Sequence, residues 1–145
     1  MVTPILETKN LECSFWISTG IFSPKKALAA VNGVSVQLVK GQVLGLVGES
    51  GCGKSTLAKM LLGLQKPTKG NILFDGQPLE KLSLFERAAR VQPIFQDPYS
   101  SINPRKTIFE IITLPLRVHK IGTPRDWLLK AKEMMDLCGL ASRYL

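Results

Sequence analysis

The chain has 145 residues, 45% of them apolar and 21% charged, with a formal net charge of +8, which allows one domain with its own core and ordinary globular character. No apolar run is long enough to cross a bilayer, the start lacks the basic-then-apolar order of a secretory signal, and Cys13, Cys52 and Cys138 form no C-x-x-C pair. These features exclude a membrane span, a disulfide frame and a cysteine zinc site, and they send any membrane contact through a partner.

In chain order, residues 5–16 read as an opening strand and 18–26 as a loop with Gly20 and Pro24. Residues 27–31 and 34–38 are strand-like, with Asn32-Gly33 between them as a hairpin signal. Lys40-Gly41 turns the chain into Val43-Leu44-Gly45-Leu46-Val47, which reads as a buried strand. A helix follows from Thr56, then a polar turn at 65–70 and a short strand at 71–74 ending at Asp75-Gly76. Residues 82–90 read as a helix and 91–95 as another strand, while two prolines make 96–104 irregular. Thr107 and Glu110 fit a capping box that opens a helix toward Val118. A last helix begins near Thr123, with Pro124 suited to its first position, Asp126 to its first turn and Gly139 to its stop. Trp127, Ala131, Met134 and Cys138 form its packing stripe. His119, the sole histidine, suits a solvated or capping role.

The run Gly48-Glu49-Ser50-Gly51-Cys52-Gly53-Lys54-Ser55-Thr56 fits G-x-x-x-x-G-K-[ST] at every fixed position, between a strand and a helix. Strand, glycine-rich turn and helix start point a set of backbone N–H groups at one spot, and the helix adds roughly half a positive charge there. Gly48, Gly51 and Gly53 permit positive φ and close approach to an anion. Lys54 supplies a point charge between outer phosphates, and Ser55 a hydroxyl ligand for magnesium. Cys52 reads as a small residue at a variable position. The basic balance suits such ligands, but the charges are scattered, with Lys25-Lys26 and Lys66 with Lys69 the nearest to clusters, so nucleic acid is not expected.

Three segments resemble the ATP-binding subunit of ABC transporters, in the branch that imports oligopeptides, dipeptides or nickel. They are GESGCGKST, VNGVSVQLVKGQVLGL and FQDPYSSINPR. The resemblance implies an α/β fold: a P-loop NTPase core with an antiparallel β portion and the start of a helical subdomain. It divides the chain into residues 1–95 (core and β portion), 96–106 (the segment opened by Gln96) and 107–145 (helical start). It implies ATP and Mg2+ as ligands, with Ser55 and Gln96 at the metal, Gln96 near the attacking water and Phe15 stacked on adenine. Trp16 competes for that last role. The implied partners are a second ATP-binding subunit, head to tail, and integral membrane permease subunits, at the cytoplasmic face of the cell membrane.

The same family pattern requires a second acidic strand end, an L-S-G-G-Q signature and a later switch histidine, none of which occurs. Ile72-Leu73-Phe74-Asp75 is the nearest lookalike to the acidic strand end and is followed by glycine. The expectation is therefore an N-terminal portion of a longer subunit, without useful ATP turnover by itself and with open sheet edges. A non-catalytic nucleotide-binding module is the alternative of a different class. A nucleic-acid-linked ATPase of the same family would need zinc-ligand cysteines or a basic aromatic platform, which are lacking.

Overall fold

The computed structural model describes residues 3–18, 20 and 24–145, which form two compact units, Met1–Gln92 and Pro93–Leu145. The loop expected at 18–26 lies partly outside the described residues, at 19 and 21–23.

The first unit is organised by one long strand, β1 (Leu6–Ile17). Its C-terminal half pairs antiparallel with β2 (Lys26–Val34), from Leu11 opposite Val34 to Ile17 opposite Lys26. Its N-terminal half pairs antiparallel with β3 (Gln37–Leu38) and β4 (Lys69–Phe74). Asn32-Gly33 does not make the expected hairpin. Between the pairs Leu11–Val34 and Cys13–Val31, β2 carries one residue more than β1, so the dipeptide forms a bulge inside a continuous strand. At Ser35-Val36 the regular ladder is interrupted: Thr8 N still donates to Val36 O at 2.8 Å, and the Thr8 side chain takes up the neighbouring groups. The buried Thr8 hydroxyl donates to Val34 O at 3.2 Å and accepts from Val36 N at 2.9 Å.

The tight hairpin lies further on. Leu73 faces Pro78 and Phe74 faces Gln77, so β4 and β5 (Gln77–Pro78) are joined by two residues, Asp75 (φ 48°) and Gly76 (φ 75°). Positive φ at both central positions is the turn whose twist matches antiparallel strands, and Asp-Gly supplies it at little cost.

Helix α1 (Lys54–Leu61) and helix α2 (Leu84–Arg90) complete the unit. Leu57 and Met60 of α1 join Leu11, Cys13, Val31, Ile72, Phe74, Leu79 and Leu82 in one core. Full burial of such a side chain stabilises the fold by roughly 1.5–3 kcal/mol.

Two expected strands are not strands. Residues 42–49 and 91–95 have no ladder partner among the described residues. Val43 and Val47 are 94% and 95% exposed rather than buried, and Ile94 is 97% exposed. An apolar run supplies side chains for a sheet, but the strand forms only when neighbouring backbone accepts its N–H and C=O groups.

The second unit contains α3 (Ile108–Val118) and α4 (Pro124–Leu137), which pack on each other and bury Thr113, Ala131 and Met135. Thr107 closes the expected capping box with Glu110, and Thr123, at the expected helix start, closes a second one with Asp126. His119 is the C-cap of α3, its N–H bonded to Pro115 O at 3.0 Å. The α4 stripe differs from expectation at its end: Met135 is buried and Cys138 is exposed. Cys138 is already the C-cap, where the chain turns away along Gly139 N–Asp136 O and Leu140 N–Met135 O bonds.

Candidate functional site: the loop before α1

Residues 48–53 of the glycine-rich run form a bend, and its last three, Lys54, Ser55 and Thr56, begin α1. Gly51 and Gly53 have φ of 83° and 97°, values at which a Cβ strains the backbone. Gly53 is also the N-cap, and a Cβ there would lie 2.0 Å from Ala30 O, so the loop lies directly against β2. Gly48 serves a different purpose from the one expected. Its φ is not positive, but a Cβ would sit 2.7 Å from Cys52 Sγ. At Gly48 it is space, not left-handed conformation, that excludes a side chain.

The backbone donors of this bend are largely unspent. Cys52 N bonds Glu49 O at 3.4 Å and Leu57 N bonds Gly53 O at 2.9 Å. The N–H groups of Gly51, Gly53, Lys54, Ser55 and Thr56 have no acceptor among the described residues. A helix start always leaves such donors, and the left-handed glycines add more from the same bend. No acidic residue occupies the first turn of α1.

Lys54 curls back over the loop. Its Nζ donates to Gly48 O and Glu49 O, both at 2.6 Å, and lies 3.4 Å from Cys52 Sγ. An ammonium has three donors. Two hold carbonyls and brace the bend, and the third meets only a thiol, a weak acceptor that an anionic oxygen outcompetes. The Ser55 side chain is exposed, and Thr56 is partly buried one position deeper into α1.

Phe15 lies on β1 opposite Leu28, two positions along β2 from the Ala30 carbonyl that abuts Gly53. It is 40% exposed, and Trp16 beside it is 71% exposed. Gln96 belongs to the second unit, where it is exposed and precedes a turn in which Asp97 Oδ1 accepts from Tyr99 N at 3.1 Å. Asp75 is in the β4–β5 turn, where its half-exposed carboxylate lies 3.5 Å from Arg90. Three or more His, Cys, Asp or Glu side chains placed to hold a metal do not occur among the described residues. The fit to magnesium therefore rests on Ser55 Oγ next to the unspent amides, a donor set that needs phosphate oxygens and water to be completed.

One structural contributor has no sequence signal. The Ala30 carbonyl that walls Gly53 is a backbone atom in another strand, and only the β2 register reveals it.

Comparisons with known proteins agree with this geometry. Residues 31–145 match the family model described as ABC transporter. The oligopeptide transport ATP-binding protein AppF of Bacillus subtilis is 44% identical over 97% of this chain and 45% of its own length. The dipeptide transport ATP-binding protein DppF of Escherichia coli is 36% identical, over 97% of this chain and 43% of its own. SapF of Escherichia coli K12, named a putrescine export system ATP-binding protein, is 41% identical over 97% and 52%. The chain thus spans about half the length of the curated relatives it matches. A dimeric cassette structure, MJ0796 bound to ADP and Pi, superposes with a TM-score of 0.74 at 23% identity, over 96% of this chain and 59% of that one. The α/β cassette fold, the loop before α1 and the extent of the family match make this chain a member of the ABC transporter family.

Proposed function

We propose that the chain binds the phosphates of MgATP and forms the nucleotide-gripping part of an ABC importer component that couples ATP to peptide uptake. The observation that carries this is the set of unspent N–H groups at Gly51, Gly53, Lys54, Ser55 and Thr56 around one bend, with the Lys54 ammonium beside them. Backbone donors and a helix start favour tetrahedral anions, and the ammonium selects the outer, more charged phosphates. Ser55 is the metal ligand in this reading, and a bound magnesium ion neutralises charge on the phosphate oxygens. Glu49, Ser50, Cys52 and Thr56 shape the bend, while Gly48 leaves room for it.

Phe15 offers a half-exposed π-face for adenine, the kind of stacking worth ~1–3 kcal/mol per base. Gln96 supplies a neutral amide that ligates metal and orients water without adding charge. The division into 1–95, 96–106 and 107–145 belongs to the same proposal. So do the head-to-tail second ATP-binding subunit, the permease subunits and the cytoplasmic membrane face. The peptide class is supported by the names of AppF and DppF. No helix among the described residues is long and apolar enough to cross a membrane, which accords with a separate permease.

The test is nucleotide affinity of the wild type and Lys54→Ala, each with and without magnesium. Wild type binds ATP, more tightly with the metal, and Lys54→Ala loses at least about tenfold, as removal of a charged hydrogen bond requires. Equal affinity in the two proteins overturns the reading. A non-catalytic binding module is favoured by one observation: Asp75, the nearest carboxylate to the required pattern, is held by Arg90 in a turn. Both readings expect the isolated chain to bind ATP without steady phosphate release, because the sequence lacks the second acidic strand end that would activate water, so steady turnover would overturn both.

A further inference from the structure

A second concavity, of 620 Å³, opens in the first unit at the C-terminal end of α1. Its size is that of small-molecule sites. The buried side chains of Met60, Ile72 and Leu79 give it an apolar floor. Around them stand Lys66, Lys69, Lys81 and Arg87, against a single carboxylate, Glu80. Lys69 is neutralised by Glu12 at 3.1 Å. Lys66, Lys81 and Arg87 make no ion pair among the described residues.

Arg87 carries the argument. Its Nη1 donates to Gly63 O at 3.1 Å, in the turn that ends α1. A Cβ on residue 63 would lie 2.1 Å from that nitrogen, so only glycine lets the guanidinium lie there. Its Nε is buried and has no acceptor among the described residues. A guanidinium can only donate, and a buried donor without an acceptor is costly. The exposed side of the planar fork, beside uncompensated lysines, favours an anionic acceptor.

We propose that this concavity binds a small organic anion, its carboxylate or phosphate on Arg87 with Lys66 and Lys81 and its apolar body on Met60, Ile72 and Leu79. The site is separate from the phosphate loop, so Lys54→Ala leaves it intact.

The experiment is amide NMR on the 145-residue chain carrying Lys54→Ala, titrated with phenyl phosphate. Benzamide supplies a similar apolar body without the charge. Phenyl phosphate is expected to shift the amides of Gly63, Leu79 and Glu80 saturably, while benzamide does not. Arg87→Gln should weaken binding about tenfold or more. Because that variant also removes a bond to α1, the exposed pair Lys66→Gln with Lys81→Gln is tested too. It should weaken binding about two- to fivefold with the spectrum otherwise unchanged. Absence of saturable shifts at those amides, an equal response to benzamide, or unchanged affinity in the lysine pair overturns the proposal.

Discussion

At Gly53 two independent constraints meet in one residue. The backbone is left-handed at φ 97°, and the absent Cβ leaves room for the Ala30 carbonyl. Gly53→Ala therefore faces backbone strain of about 1–3 kcal/mol before the contact with Ala30 is relieved. The expected outcome is a urea midpoint lowered accordingly, with nucleotide affinity reduced as well, because the N-cap sets the direction of the α1 amides. Gly51→Ala is the informative comparison. It has φ 83° but nothing within 4 Å of a Cβ, so it carries the backbone strain without the collision and should lower the midpoint less. Equal losses in the two variants would show that the approach of β2 contributes nothing. Lys54 differs from both: two carbonyls hold its side chain, and under the proposed function it meets the phosphates, so its replacement should act on binding far more than on folding.

Helices α2, α3 and α4 share one starting device. Ser83, Thr107 and Thr123 each accept from the N–H three residues on, and Glu86, Glu110 and Asp126 return the bond. The Ser83 hydroxyl and then its N–H hold the Glu86 carboxyl below its ordinary value. The Thr107 N–H, then Lys106, do so for Glu110, and the Thr123 hydroxyl, then its N–H, for Asp126. Each group is depressed in the folded state, so its contribution is complete above the ordinary carboxylate value. It is lost as pH falls through the lower folded value. Helicity followed by circular dichroism should thus decline between about pH 5 and pH 2. The triple variant Glu86→Gln, Glu110→Gln, Asp126→Asn retains amides that can still close the box and should flatten that decline. An unchanged acid limb would place the transition elsewhere. The Thr107–Glu110 box was legible in the sequence because its bonds span three residues; the boxes at Ser83 and Thr123 have the same span and were not read there. The loop before α1, whose chemistry is local to nine positions, was legible too. The Asn32-Gly33 bulge was not, since it depends on β1 drawing β2 and β3 to itself along different stretches. The cavity beside Arg87 left no trace at all, because its walls come from three separate stretches, 60–72, 78–81 and Arg87.

Among the described residues, the highest exposures of large apolar side chains fall where strand-like sequence lacks a ladder. Val43 and Val47 are almost wholly exposed and Leu44 and Leu46 about half, while Ile94 and Phe95 repeat the pattern in the second unit. Unpaired backbone beside apolar side chains is a template for another chain, and contiguous apolar surface favours association. The isolated chain is therefore expected to bind a hydrophobic dye and to self-associate with rising concentration in sedimentation experiments. Val43→Thr with Val47→Thr keeps β-branched shape while adding hydroxyls, so it should raise the monomer fraction. Neither valine contributes to the core, so the same pair should leave the urea midpoint within about 0.5 kcal/mol of wild type. Dye binding that persists undiminished in this variant would move the sticky surface to the second unit, where Ile94→Thr with Phe95→Ser is the corresponding change. A monomeric wild type without dye binding would mean that these segments are covered in solution, and that the strands read from residues 43–47 and 91–95 do find partners within the chain.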